Sequence, residues 1–334
     1  MDKIKSFLKY LEENNIKRAV LLNRENINYF LERYPPAYSL LTFEVESNRT
    51  ILNVPKLEYK ASQIYGGKNI EISIMEKIED LIKEGDAFED TLPLKYVKYI
   101  PKNYKIVSPK IMEMRSIKTD KEIEFIKMAS NISKKSLEHG IDYLLNSEGE
   151  VKEIELAAEI EYSMKKKGSI KPAFDTIVIS NKKTALPHGI PSKDIIKNIV
   201  LIDIGAVYEG YCSDTTRTIL LKEDRNYREI YELVNGVKNE VEDHIKEGTP
   251  IRELDDMARE LMGDYKKYFI HSLGHGVGVN VHEEPSISSK VEENLTLKKN
   301  MVITIEPGIY LKDFGVRIED LYLVKKNGFK NLSS

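Results

Sequence analysis

An aspartate inside an apolar strand is the feature that most restricts how this chain can fold. Residues 199–206 read IVLIDIGA, and the alternation of side chains along a strand places Asp203 on the face opposite Val200 and Ile202. A buried carboxylate is costly unless an arginine, a lysine or a metal ion binds it. The run therefore predicts a strand whose polar face meets a specific partner.

The next segment returns a second aspartate towards the first. It reads YCSDTTRTIL, and if residues 209–210 form a two-residue hairpin loop, Tyr208 faces Tyr211. A loop of even length then keeps Asp214 on the same face as Asp203, diagonal to it, with Cα atoms about 5–8 Å apart. Two like charges at this distance repel each other unless a cation lies between them.

Two aspartates alone leave a structural alternative open, in which solvent or Arg217 neutralises them. Two further carboxylates favour metal binding: Glu306 ends the apolar strand MVITI, and Glu319 lies in GVRIEDLYLV with Arg317 on the same face. His275, in HSLGHGVGVNVHEEP, adds an imidazole. Four buried carboxylates balance two divalent cations, so the set favours two ions about 3.5–4 Å apart that share a water-derived hydroxide.

The chain divides into an N-terminal α/β part and a larger second part. The first part alternates apolar runs with amphipathic helices, and Gly66-Gly67 is a loop signal. A capping box at Thr119 and Glu122 then begins a new helix. We expect domains at 1–114 and 115–334. The candidate strands of the first part are Arg18–Leu22, Thr50–Val54 and Ile70–Ile74, with candidate helices Asp2–Asn14, Lys56–Ile64 and Ile78–Lys83.

The second part combines helices with Ile-, Val- and Thr-rich strands. Apolar positions at helical spacing predict one helix that includes Leu156, Ile160 and Met164, and a longer one from about Ile230 to Ile245. The candidate strands are Phe174–Ser180, Ile199–Ala206, Tyr211–Leu220, Met301–Ile305 and Val316–Val324.

Composition excludes several classes of function. Lys and Arg total 51 and Asp and Glu 54, a net charge of -3, which gives no polybasic surface for nucleic acid or membranes. Mean hydropathy is -0.40, and no apolar run approaches the roughly 18 residues of a spanning helix. Cys212 is the single cysteine and cannot form an internal disulfide. We expect a cytoplasmic protein with no nucleic-acid or membrane partner.

Six motifs carry a family resemblance. In order and spacing, ALPHG, LIDIGA, CSDTTRT, HSLGHGVGVNVHEEP, TIEPGIY and GVRIED resemble the prolidase and aminopeptidase P family of Xaa-Pro metallopeptidases. The resemblance extends from about Ile117 to the end, and the segment LNRENINYFL is similar to the family's leading domain. It implies an α/β (α+β) fold with a small N-terminal creatinase/prolidase-like α/β domain followed by a pita-bread metallopeptidase catalytic domain.

The resemblance also assigns roles to residues. It implies that His188 and His282 are active-site histidines outside the ligand set and that Arg317 is the active-site arginine. Glu306 is the ligand best placed to carry a proton to the leaving nitrogen, and we expect His271 to be structural. The implied metal ligands are Asp203, Asp214, His275, Glu306 and Glu319.

The implied substrates are Xaa-Pro dipeptides or short Xaa-Pro peptides, hydrolysed before proline by a metal-bridging hydroxide. This bond has no N–H and a fixed φ, so proteases that hold extended, hydrogen-bonded substrates handle it poorly. The cofactors would be two divalent ions per chain, Mn, Co, Fe or Zn, because oxygen-rich sets with one imidazole suit these metals. Family members are commonly homodimers, which we expect here.

Three alternatives remain open. A methionine aminopeptidase has the same five ligands but usually lacks the leading domain, and a creatinase-like hydrolase has both domains but lacks the ligands. A non-catalytic peptidase-like binding module typically loses ligands. The complete set favours an enzyme, and the metal content of the purified protein distinguishes it from a binding module.

The sequence departs from the family pattern after HEEP. Strict prolidases tend to carry an arginine there, which can pair with the terminal carboxylate of the substrate, whereas this chain has Ser286. A serine hydroxyl cannot make the bidentate, charge-assisted contact of a guanidinium. We therefore expect weaker selection for dipeptides and some acceptance of Xaa-Pro-Xaa tripeptides.

Overall fold

The computed structural model describes residues 2–65 and 70–333. The chain divides into two compact units, Met1–Arg115 and Ser116–Ser334. The loop signal at Gly66-Gly67 lies outside the described residues.

In the described residues of the first unit there are one mixed sheet and five α-helices. The strands are β1 (Arg18–Leu21), β2 (Leu40–Glu44), β3 (Arg49–Val54), β4 (Glu71–Ile74), β5 (Ala87–Phe88) and β6 (Lys105–Ile106). The helices are α1 (Lys3–Glu13), α2 (Arg24–Leu31), α3 (Lys56–Tyr65), α4 (Ile78–Lys83) and α5 (Ser108–Ser116), with a 3-10 helix at Leu94–Tyr99. The sheet order is β4-β3-β2-β1-β5-β6.

Periodicity correctly predicts α1, α3 and α4 and the strands β1, β3 and β4, with small shifts at their ends. It misses α2, α5, β2 and the two-residue strands β5 and β6. The first of these is only eight residues long, and it begins where the Asn23 side chain accepts a hydrogen bond from the Asn26 backbone N–H at 2.9 Å. A single local cap before a short helix gives a weak sequence signal, because most helix stability comes from tertiary packing.

The second unit has four long helices: α6 (Asp120–Asn146), α7 (Glu153–Lys166), α8 (Arg225–Glu242) and α9 (Ile251–Leu261). The predicted capping box is present at the start of α6, since Thr119 and Glu122 each accept a backbone hydrogen bond from the other. The helix predicted from Ile230 to Ile245 is α8, which ends earlier, at Glu242. Short 3-10 helices lie at Asn181–Ala185 and Gly263–Tyr268.

Twelve strands complete the second unit: β7 (Ile177–Ser180), β8 (Ile199–Ile204), β9 (Val207–Tyr208), β10 (Tyr211–Cys212), β11 (Thr215–Leu220), β12 (Gly274–Gly276), β13 (Glu283–Ile287), β14 (Val302–Ile305), β15 (Gly308–Tyr310), β16 (Gly315–Arg317), β17 (Asp320–Lys325) and β18 (Gly328–Asn331). They form antiparallel sheets ordered β11-β8-β7 and β13-β12-β14-β17-β18, with hairpins β9-β10 and β15-β16. An isolated bridge joins Thr216 to Glu319.

Among the described residues, the two largest hydrophobic clusters of the second unit pack against these sheets. Leu156 and Ile160 of α7 pack with Val200 and Ile202 of β8, which is the apolar face that alternation predicts. In the other core, side chains of α8 and α9 pack against β14 and β17, through Val234, Leu254, Ile303 and Tyr322 among others.

Two predicted strands are interrupted where carboxylates lie. The run 211–220 leaves strand geometry at residues 213–214, and the run 316–324 leaves it at residues 318–319. The prediction of two continuous strands is therefore wrong. At these interruptions Asp214 lies outside any strand, and Glu319 pairs with β11 only through its isolated bridge to Thr216.

The part of the chain that the structure describes contains no helix long and apolar enough to span a membrane.

Candidate active site

The β8–β11 hairpin has the parity that the sequence predicts. Tyr208 pairs with Tyr211 and Asp203 with Thr216, so the register continues through a two-residue turn. Glu209 and Gly210 have φ of 49° and 82°, as a type I′ turn requires. Asp203 and Asp214 line the same cavity.

Gly205 makes this hairpin sterically feasible. A Cβ added at residue 205 would lie 2.2 Å from the Ser213 carbonyl oxygen and 2.7 Å from the Phe174 ring. The two arms of the hairpin therefore approach more closely than any other residue type would allow.

Asp203 has one arginine partner and one unpaired oxygen. Its Oδ2 accepts a hydrogen bond from Arg317 Nη2 at 2.5 Å, whereas its buried Oδ1 has no hydrogen-bond partner among the described residues. Arg217, the structural alternative for the aspartates, pairs with Asp320 instead, at 2.6 Å. Asp203 thus keeps one oxygen available for a cation.

Asp214, His275 and Glu319 form the densest group of potential metal ligands. One donor atom from each lies within 4.8 Å of the other two. His275 Nε2 is 3.6 Å from Asp214 Oδ2, while its Nδ1 is 3.1 Å from the Gly276 carbonyl oxygen, which orients the ring. Thr216 Oγ1 donates to Glu319 Oε2 at 2.8 Å and leaves Oε1 for another partner.

Glu306 follows β14 and completes the set. Its Oε1 is 3.4 Å from His275 Nε2, and its Oε2 is 4.0 Å from His271 Nδ1. The Glu306 side chain is 18% exposed against 12% for Asp203 and 7% for Asp214. It is the carboxylate of these three that meets the cavity most openly.

Burial and mutual repulsion raise the pKa values of three of these acids, Asp214, Glu306 and Glu319. Burial, with the charges of Glu319, Asp203 and Glu306, raises the pKa of Asp214. Burial and neighbouring carboxylates likewise raise the pKa of Glu319, and burial raises the pKa of Glu306 to about 8. Without a bound cation, protonation of these carboxyl groups relieves their mutual repulsion.

Burial lowers the pKa values of three histidines, because it disfavours the charged form of any group. Burial lowers the pKa of His275 to about 4 and the pKa of His271 to about 4, because the charged imidazolium loses solvation. Burial also lowers the pKa of His282. A neutral imidazole is the form that binds a metal ion.

A cavity of about 740 Å³ opens onto these groups. His188, His282 and Ser286 line it, together with Phe174 and Ile190. His282 lies edge-on to the ring of His275, with centroids 4.3 Å apart. The structure thus gathers every residue assigned to the site, and it also places His271 in the cavity wall, hydrogen-bonded through Nε2 to Tyr310 at 2.9 Å.

Residues outside the predicted set hold Arg317. Its guanidinium donates to Thr216 Oγ1 at 3.1 Å, to Tyr310 Oη at 2.7 Å and to the Pro187 carbonyl at 3.1 Å, in addition to Asp203. Tyr310 and Thr216 were missed as functional residues, although both lie inside the quoted motifs TIEPGIY and CSDTTRT. Arg317 is 3% exposed, and these four hydrogen bonds hold its guanidinium inside the protein.

The donor chemistry fits divalent cations. Four carboxylates and one neutral imidazole converge, one carboxylate oxygen is buried without a hydrogen-bond partner among the described residues, and the arginine nearby engages only one of the acids directly. Oxygen-rich sets with one imidazole suit first-row divalent metals.

Comparisons with known proteins agree with this geometry. Residues 124–326 match metallopeptidase family M24. An uncharacterized peptidase of Methanocaldococcus jannaschii is 54% identical over 99% of this chain and 95% of its own length. The Xaa-Pro dipeptidase of Pyrococcus horikoshii is 38% identical over 99% of this chain and 97% of its own length.

Solved structures show the same fold. The prolidase from Pyrococcus furiosus has a TM-score of 0.89 and 36% identity, covering 98% of this chain and 99% of that chain. The chain belongs to metallopeptidase family M24. The predicted pita-bread fold and the predicted class, a metal-dependent peptidase, are confirmed.

Proposed function

We propose that this protein hydrolyses the peptide bond before proline in Xaa-Pro dipeptides and short Xaa-Pro peptides. The observation that carries the proposal is the convergence of four carboxylates and one imidazole on a peptide-sized cavity. The substrate class is supported by the relatives named Xaa-Pro dipeptidase. We further propose that 115–334 is the catalytic domain and 1–114 the leading domain.

We propose that two divalent ions, Mn, Co, Fe or Zn, are held by the five predicted ligands. When bound, such ions would supply Lewis-acid activation of water and of the scissile carbonyl. Four acidic groups balance the charge of two such ions, and one oxygen of Asp203 has no hydrogen-bond partner among the described residues. The proposed ligands are Asp203, Asp214, His275, Glu306 and Glu319.

The remaining side chains supply proton transfer and charge stabilisation. Glu306, whose side chain is more exposed than those of Asp203 and Asp214, carries a proton between the attacking water and the leaving nitrogen. His188 and His282 face the cavity from separate segments and donate hydrogen bonds to the oxyanion that develops on the carbonyl. Arg317 fixes Asp203 through its hydrogen bond and so holds one wall of the site.

Substrate length is the finer part of the proposal. Ser286 lies directly across β12–β13 from His275, so it faces the site where a substrate terminus would lie. Among the described residues that line the cavity, Arg317 is the only lysine or arginine, and its hydrogen bonds engage it internally. We infer that a terminal carboxylate is not strongly selected and that tripeptides are cleaved.

The test compares Ala-Pro, Ala-Ala and Ala-Pro-Ala with several divalent ions. Cleavage of both proline peptides, with Ala-Ala resistant, supports the proposal. Ala-Pro amide probes the carboxylate directly: a loss of kcat/KM of about a hundredfold or more, about 2.7 kcal/mol, would contradict weak selection for the terminus. The S286R variant should introduce a preference for Ala-Pro over Ala-Pro-Ala.

Metal analysis separates the enzyme from a binding module. About two equivalents of metal per chain support the proposed site, and none after reconstitution contradicts it. We also propose a homodimer in the cytoplasm, consistent with the single cysteine, and light scattering of the purified protein tests the dimer.

A further inference from the structure

His188 lies on a segment whose position is set from outside the proposed metal site. We call residues 180–192 the His188 strap; it begins at the last residue of β7 and includes the 3-10 helix Asn181–Ala185. The His188 side chain is exposed to the cavity and makes no hydrogen bond to another residue of the described chain. Its ring position therefore depends on the backbone of the strap.

One carboxylate binds both ends of the strap. Glu153, the first residue of α7, is 0% exposed. Its Oε1 accepts hydrogen bonds from Ser180 N at 2.8 Å and Ser180 Oγ at 2.9 Å. Its Oε2 accepts from Ser192 N and Ser192 Oγ, both at 3.0 Å, and pairs with Lys183. The two ends of the strap thus meet at a single buried side chain.

The start of α7 strengthens this anchor. The first backbone N–H groups of a helix have no partner inside the helix. Here the N–H of Glu153 donates to the Asp194 carbonyl at 3.0 Å, and the N–H of Ile154 donates to the Ser192 carbonyl at 2.9 Å. The chain leaving the strap is therefore fixed by both the side chain and the backbone of α7.

The helix itself is firmly seated. It packs on α6 where Gly140 has no side chain, since a Cβ there would lie 2.4 Å from Ile160. On the other side of the strap, Thr184 Oγ1 accepts from Gly315 N at 2.9 Å, and Arg317 Nη1 donates to the Pro187 carbonyl at 3.1 Å. The strap is held between Glu153 and the arginine of the proposed site.

We propose that Glu153 is a positioning residue for catalysis, whose carboxylate fixes the strap and thereby places His188 against the substrate carbonyl. This inference rests on the proposed function, in which His188 stabilises the oxyanion. A displaced hydrogen-bond donor loses much of its effect, because stabilisation of a transition state depends on geometry set before the reaction.

The test is E153Q, with E155Q as the matched control on the same helix. The amide that E153Q introduces would point an NH₂ group at N–H and O–H donors, so one end of the strap loses its acceptor. Glu155 is an outer, half-buried acid paired with Lys152. We expect E153Q to lower kcat roughly ten- to a hundredfold with metal stoichiometry unchanged, and E155Q to have little effect.

Double-mutant cycles distinguish positioning from general destabilisation. We expect E153Q to cost less than about threefold in kcat when added to H188A, but its full effect when added to H282A, since His282 lies on another segment. Equal losses in both backgrounds would overturn the inference. If E153Q does not fold, S192A removes one donor while the carboxylate remains and undergoes the same cycles.

Hydrogen exchange in the metal-free protein gives a readout independent of activity. Amides of residues 180–192 should exchange faster in E153Q than in wild type or E155Q; unchanged exchange contradicts the tether. The two proposals can fail separately. If H188A keeps full turnover, the oxyanion role of His188 is wrong, whereas an impaired H188A beside an unimpaired E153Q refutes only the role of Glu153.

Discussion

The free energy of unfolding of the metal-free protein should fall as pH rises from 6.5 to 8. Burial raises the pKa of Glu306 from 4.5 to about 8, so the folded, metal-free chain retains a proton that the unfolded chain releases. A carboxyl with a raised folded-state pKa contributes stability below its unfolded pKa and loses it as pH rises through the folded value.

Between pH 6.5 and 8 the histidines oppose this loss of stability only weakly. The pKa values of His271 and His275, about 4 when folded against 6.5 when unfolded, add stability mainly as pH rises to 6.5. Above pH 6.5 they add only about 0.4 kcal/mol each, because half of each unfolded imidazole is still protonated at that pH. Between pH 6.5 and 8, Glu306 alone lowers the free energy of unfolding by about 2 kcal/mol, at 1.36 kcal/mol per unit. The raised pKa values of Asp214 and Glu319 act in the same direction.

Urea unfolding in EDTA at pH 6.5, 7.2 and 8, followed by far-UV circular dichroism, measures this loss; the chain has no tryptophan to serve as a fluorescent probe. The metal-free E306Q variant should show a flatter profile, because the amide does not titrate. Saturating Mn²⁺ should abolish the decline in wild type. Metal-free stability that is constant or increases across the window would refute the reasoning.

Three further outcomes are expected. D214N should lose bound metal and hydrolysis while its circular dichroism stays native; normal turnover would remove Asp214 from the ligand set. H188A and H282A should each lower kcat roughly a hundredfold at unchanged metal content, and metal loss in either would make that histidine a ligand. G205A should lower unfolding free energy by about 1–3 kcal/mol, because its Cβ would meet the Ser213 carbonyl; a melting temperature equal to wild type would contradict this.

The sequence predicts those features that depend on contacts between residues close together in the chain. The parity of the hairpin places Asp203 and Asp214 on one side because each residue along a strand changes face, and the structure has that register. The capping box at Thr119 and the apolar face of β8 are equally local, and both are present.

Contacts between segments that are distant in the sequence cannot be predicted in this way. The pairing of Arg317 with Asp203 joins residues far apart in the sequence, and no spacing rule links them. The same holds for Tyr310 and for Glu153, whose carboxylate looks like an ordinary helix-start acid until the fold brings Ser180 and Ser192 to it. The strand breaks at Asp214 and Glu319 were also missed, because a β-branched residue lies beside each carboxylate, Thr215 in one case and Ile318 in the other.

The division of the proposed ligands between two sheets has a consequence for how the protein matures. The β11-β8-β7 sheet provides Asp203 and Asp214, whereas His275, Glu306 and Glu319 come from segments of the sheet built on β14 and β17. Two carboxylates alone offer too few donors to retain an ion against water. On the proposed assignment, metal retention depends on donors from both sheets, so the metal-bound protein would form only once the two sheets are packed together. The bound ions would link the two sheets and close a long loop of chain between Asp203 and Glu319.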